Sequence, residues 1–175
     1  MIELNKLCLV NYCHPDCVPL KNIMRLPKEE AFALAAQMAE AHPETTAFYR
    51  FADFENYYRV RCIQDELLYS GFTAKGGEPE EKHPLSFVIA GSDYLFHWFA
   101  DGNVTKIPLS EIEPRHISFT IGDGGAMCER DQKFEVLTFS ELQNMLDTFD
   151  GTYTDFVAST GRKYIEAQLW SDRYI

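Results

Sequence analysis

In LVNYCHPDC, residues 9 to 17, two thiols, an imidazole and a carboxylate fall within five positions: Cys13, His14, Asp16 and Cys17, with Cys8 just upstream. Thiolates and imidazoles bind zinc, and C-H-x-x-C offers three such ligands. A structural zinc site needs four, and a catalytic site needs three around an open position. No second pair at matching spacing follows; Cys62 falls in a helical stretch and Cys128 in a loop far downstream. In an extended chain Cys13 and His14 also point to opposite faces. The expectation is that no metal is bound and that the stretch is a strand running into a proline turn. A metal-dependent hydrolase using Cys13, His14 and Cys17 ranks last among the readings. A thiol nucleophile would draw its histidine from elsewhere in the fold. His97 and His116 are available, but no flanking signature marks either, and each has a plain structural role open to it.

Strand alternation places other polar groups. In RKYIEAQLW, Tyr164, Glu166, Gln168 and Trp170 share one face, and Ile165, Ala167 and Leu169 the other. A carboxylate between aromatics on a strand can be desolvated, with a raised pKa. The alternative is a solvated outer face with cross-strand partners. In ISFTIGDGGAM, Ser118 and Thr120 share a face, and Gly122-Asp123-Gly124-Gly125 follows. Such a turn lets backbone amides approach an anion. It lacks the Gly-Lys-Ser/Thr ending of a P-loop and equally describes an ordinary tight turn. Residues 44 to 61 interleave Phe48, Tyr49, Phe51, Phe54, Tyr57 and Tyr58 with Arg50, Arg59 and Arg61. Arg50 suits a carboxylate or a pyrophosphate, or else a surface salt bridge.

The elements that must position these groups follow from periodicity. Leu7 to Cys13 alternates as a buried strand, and Pro15 and Pro19 force a turn. A helix starts at Pro27, with Phe32, Ala35, Met38 and Ala39 as its stripe, and stops at His42-Pro43. Residues 43 to 51 read as a loop. Asp53 caps a second helix that runs to about Ser70, with Gly71 just past its end. Its stripe is Phe54, Tyr57, Tyr58, Leu67 and Leu68, with Ile63 between. The polar stretch from 73 to 84 is a loop. Beyond it PLSFVIAG, VTKIPL, HISFTIG, KFEVLT and RKYIEAQLW read as strands. Ser92 caps a short helix, and Thr138 with Glu141 forms a capping box for another that ends near Phe149. Tyr153 to Ser159 adds a turn or two. This order is not a βαβ alternation. It predicts one α+β domain over residues 1–175, with a mixed or mostly antiparallel sheet of about six strands and helices packed on it.

Composition bounds the function. A hydrophobic share of 46% and an aromatic share of 14% suit a packed core rather than disorder. A formal net charge of −11 repels phosphate backbones and argues against generic nucleic-acid binding. No apolar run reaches membrane-spanning length and no signal-peptide pattern opens the chain, so a cytoplasmic location with reduced thiols is expected.

Three segments together resemble ADP-ribosyltransferase-like domains of the DNA-modifying toxin type. Asn11-Tyr12, His14 and Ile23-Met24 are similar to the family's opening strand and short helix. Ser118-Phe119-Thr120 is similar to its Ser-x-Ser or Ser-x-Thr element. Glu166-Ala167-Gln168 resembles its late Glu/Gln-x-Glu pair with the order changed. Asn11 stands where a histidine or arginine is the family's choice, and Gln168 where a glutamate is, so the catalytic role falls on Glu166. The resemblance implies an NAD-dependent transferase of unassigned acceptor. Glu166, Ser118 and Thr120 would form the catalytic group. Asn11 would belong to the NAD site, where Tyr12 or Tyr49 would stack on the nicotinamide. Arg50 or the amides from Gly122 to Gly124 and Gly125 would hold the pyrophosphate. The competing expectation is a non-catalytic accessory or protein-interaction domain whose acidic surface meets a basic partner.

Overall fold

The computed structural model describes residues 2–129 and 135–175. Its centre is a sheet of five strands: β1 (Cys8–Cys13), β2 (Leu85–Ile89), β3 (Asn103–Pro108), β4 (Ile117–Thr120) and β5 (Glu166–Leu169). Their order is β3-β1-β2-β5-β4, and every neighbouring pair is antiparallel. The α+β expectation holds, and among the described residues the sheet is wholly antiparallel. The stretches read as strands at the two ends of the sequence, in β1 and β5, lie in one sheet. KFEVLT does not add a named strand: Lys133 and Phe134 lie outside the described residues, and Leu137 makes a single antiparallel bridge to Phe119.

Register assigns each side chain to a layer. Val88, Glu166 and Thr120 lie level on one face, and Ser86, Gln168 and Ser118 lie level one pair further along. Leu9, Phe87, Ile89, Phe119, Ala167 and Leu169 belong to the main core, which also takes in Leu142, Leu146 and Phe156 from α5 (Phe139–Asp147) and α6 (Tyr153–Ser159). Each of these short helices starts with a capping box, at Thr138 and at Thr152, which satisfies amides that the first turn leaves orphaned. The opposite face packs on α2 (Phe54–Ala74) through Trp170, which is fully buried against Leu68 and Phe72. Preceding it, α1 (Lys28–Ala41) meets α2 around Ala31, Ala35 and Phe54. No helix among the described residues is long and apolar enough to cross a membrane.

Three local expectations are corrected. Residues 46–51, read as loop, belong to a 3-10 helix (Thr46–Asp53). Gly71 does not end α2, which continues to Ala74. A Cβ there would lie 2.9 Å from Val136 Cγ2, so this glycine permits close packing rather than a stop. The buried stripe of α2 is also rotated: Ile63 and Leu67 are exposed, while Gln64 and Asp65 are buried. Asp53 does cap α2, its carboxylate accepting the Asn56 amide. All five cysteines are free thiols.

Candidate functional site

Glu166 starts β5 on the helix-covered face, between Val88 and Thr120. Its Oε2 accepts the Gly124 amide at 3.1 Å and lies 3.3 Å from the Thr120 hydroxyl. Gly124 opens α4 (Gly124–Glu129), which packs on α2. The amide of the glycine turn is thus taken by the protein's own Glu166 carboxyl group. Burial, then the nearby Asp123 charge, push the Glu166 carboxyl up to about 7, with the Gly124 amide, Arg61 and Thr120 pulling the other way. Burial also raises the Tyr164 hydroxyl, with Asp123 and Glu166 adding to the shift.

The α2 side supplies polar groups from inside its packed face. Although burial works against its charge, Arg61 is held protonated by Asp65, Tyr57, Glu166 and Asp123. Asp65 accepts from Arg61 Nη2 at 3.3 Å and lies 2.7 Å from His83 Nδ1. A Cβ on Gly124 would sit 2.8 Å from Gln64 Nε2, and one on Gly125 3.2 Å from Gln64 Oε1 and 3.7 Å from Arg50 Nη1. Both glycines thus allow α2 and Arg50 to close on the turn. Gln64 Oε1 and Arg61 Nε are buried with no hydrogen-bond partner among the described residues. Buried polar atoms are rarely left so, and such atoms mark places where water or a ligand belongs.

Beside this group is a cleft of about 340 Å³ lined by Tyr49, Arg50, Asp53, Asn56, Tyr57, Arg59 and Val60. Arg50 Nε donates to the Tyr49 hydroxyl at 2.7 Å. Tyr49 meets Trp98 edge-on, and Trp98 meets Tyr94, giving a row of rings from the 3-10 helix to α3 (Asp93–Trp98). Lys163 Nζ lies 3.6 Å from the Tyr94 ring centroid, and Arg162 packs on Gly122. The fold thereby gathers Arg50, Arg59, Arg61, Arg162 and Lys163 at one end of an acidic chain.

The residues expected to form a site divide. Glu166, Thr120, Gly122, Gly124 and Arg50 are brought together, and Tyr49 borders them. Ser118 is one pair further in and fully buried: its hydroxyl donates to Gln168 Oε1 and accepts from Trp170 Nε1. Gln168 in turn donates to Thr120. Asn11 and Tyr12 lie on β1, separated from β5 by β2. Asn11 donates to the Ser86 carbonyl, and the Tyr12 hydroxyl accepts the Ser92 amide. Of Cys13, His14 and Cys17, the Cys13 thiol turns to the Cys17 carbonyl, and burial raises both thiols. Burial, and then His42, lower the His14 imidazole, with Asp16 opposing.

Sequence reasoning missed Gln64 and Asp65, and named Arg61 only among the arginines of residues 44 to 61. Their signal was present: they occupy the spacing of the α2 stripe between Tyr57 and Leu68, where polar residues belong only if they are paired or functional. It also missed Trp98, passed over among apolar neighbours. Comparison with protein-family models, with curated proteins and with solved structures finds no match to this chain.

Proposed function

We propose that this protein is an NAD-dependent ADP-ribosyltransferase-like enzyme in which Glu166 is the catalytic residue. One observation carries the reading: a carboxyl group tuned close to neutrality, seated between the Thr120 hydroxyl and the Gly124 amide, in a turn approached by Arg50, one wall of the cleft. In the reaction the glycosidic bond between nicotinamide and C1′ of the ribose breaks, nicotinamide leaves with the bonding pair, and the acceptor nucleophile bonds to C1′. Positive charge develops on the ribose in the transition state, and an ionised Glu166 in a water-poor site stabilises it there. Arg50 and Arg59 suit the pyrophosphate, Tyr49 and Trp98 offer stacking surfaces for the ring systems, and the unpartnered Gln64 Oε1 and Arg61 Nε suit polar groups of the ligand. Thr120 acts as a positioning residue for Glu166. Ser118, locked by Gln168 and Trp170, supports the strand pair and stays out of the chemistry.

The test is thermal and chemical. Ligand at ten times its Kd stabilises the folded state by about 1.4 kcal/mol, which is readable as a rise in Tm. Millimolar NAD should raise the Tm, and nicotinamide should be released on incubation. Glu166→Gln should keep the thermal shift and lose the release, because the charge acts in the transition state. An unchanged Tm together with no release would sink the enzyme reading and leave the interaction-domain reading as its replacement.

A further inference from the structure

The turn after β1 and the end of α1 come together in a second constellation, separate from Glu166. His14 and Asp16 lie in the turn, closed by the Cys17 amide on the His14 carbonyl, and His42 is the residue that ends α1. Asp16 Oδ2 is 3.0 Å from His42 Nε2 and 4.0 Å from His14 Nδ1. One donor atom from each of the three lies within 4.8 Å of the others. Zinc–donor distances of about 2.0–2.1 Å put neighbouring tetrahedral donors about 3.3–3.5 Å apart, so small side-chain adjustments bring these three to coordinating distance.

The surroundings favour coordination over a simple ion pair. An aspartate needs one imidazole for a pair; here a second imidazole, 7% exposed, turns Nδ1 toward the same carboxylate. That Nδ1 accepts a hydrogen bond from the Asp16 amide at 3.2 Å, which a metal bond would replace. The two imidazoles are packed together, centroids 4.5 Å apart, and Phe48 packs on both, so their orientations are fixed in advance. Asp16 is exposed, which leaves an open side where water can complete the coordination.

We propose that His14, Asp16 and His42 form a binding site for a divalent transition metal, zinc being the ion that two nitrogens and one carboxylate oxygen fit best. The site has three protein ligands and an open position, and a bound ion also acts as a clamp. It ties the β1 turn to the end of α1 and, through Phe48, to the 3-10 helix whose next residues, Tyr49 and Arg50, line the cleft. This ligand set differs from Cys13, His14 and Cys17, on which the sequence-based expectation of no metal was weighed: His42 enters from 28 residues away, and the thiols stay out.

The probes are zinc and cobalt(II) alone, titrated into chelator-treated full-length protein. Cobalt should bind at one equivalent with visible d–d bands and no thiolate-to-cobalt charge-transfer band, and zinc should raise the Tm. Asp16→Asn, at an exposed position that leaves the fold intact, should weaken cobalt binding by more than about tenfold, since even loss of a supporting partner costs that much. His42→Gln should abolish binding, while Cys13→Ser and Cys17→Ser should leave it unchanged. Circular dichroism without metal checks each variant's fold. No binding at millimolar cobalt would overturn the proposal, as would a charge-transfer band lost in Cys17→Ser.

Discussion

Glu166 is half-buried with no cation in direct contact among the described residues; its contacts are a hydroxyl and an amide, and Asp123 is close by. The folded chain therefore binds a proton at this group more tightly than the unfolded chain, whose carboxyl titrates near its ordinary 4.5. A folded value raised to about 7 makes the group's contribution to stability fully present below 4.5 and progressively lost as pH rises to 7. Glu166→Gln should match the natural protein in Tm at pH 4 and exceed it at pH 8. A difference of about 1 kcal/mol corresponds to about 2–4 °C for a chain of this size. Paired melts across that range check it, and a variant less stable at pH 8 would show that Gly124 and Arg61 outweigh burial. The activity proposed above would run the other way with pH. The ionised form is the one that stabilises a cationic ribose, so kcat/KM for NAD cleavage should rise as pH passes about 7 and then level off. Under that proposal, stability and activity would draw on opposite protonation states of one side chain.

At the scale of elements, helices and strands were legible wherever one local rule dominated. Ser92, Asp53 and Thr138 mark helix starts because their oxygens accept an amide inside the first turn. The alternation in β5 was legible too, and with it the shared face of Glu166, Gln168 and Trp170. What was not legible came from contacts far apart in sequence. Gly71 reads locally as a helix stop, yet it faces Val136, 65 residues on, and the helix runs through it. The burial of Arg61, Gln64 and Asp65 was not legible either, because burial of polar groups depends on partners in other elements. The site was half legible for the same reason. Glu166, Thr120 and the glycine turn follow from strand register, but Trp98 and the α2 polar groups reach it only through packing. The Gly71 reading has a direct test in a double-mutant cycle. Gly71→Ala removes the conformational cost of glycine, about 1 kcal/mol, but overpacks against Val136 at about 1–3 kcal/mol, so a net loss is expected. In a Val136→Ala background the clash is gone, and Gly71→Ala should become neutral or stabilising. Equal effects in the two backgrounds would mean that Val136 is not what excludes a side chain there.

At the scale of the molecule, the sheet is the shared floor of two cores. Its strands are four to six residues long. Strands so short are marginal without cover on their faces. One face relies on α5 and α6, and the other on α2 through Trp170, which stacks on Phe72, meets Tyr69 edge-on and donates from Nε1 to Ser118 at 2.8 Å. Losing the α2 layer would expose Trp170 and lay bare the sheet's own hydrogen-bonded set of Ser118, Gln168 and Thr120, a cost of several kcal/mol in lost apolar burial. Neither layer should therefore come away alone. The chain contains two tryptophans, so a Trp98→Phe variant leaves Trp170 as a single reporter of the contact between α2 and the sheet. Its emission in a urea titration should follow the same midpoint as far-UV circular dichroism, as a two-state unit requires. The complementary Trp170→Phe variant should lose about 2–4 kcal/mol, since it gives up a buried hydrogen bond and aromatic packing together. A Trp170 transition at lower urea than the dichroism midpoint would instead make α1 and α2 a separable layer, and the site at Glu166 would then open without global unfolding.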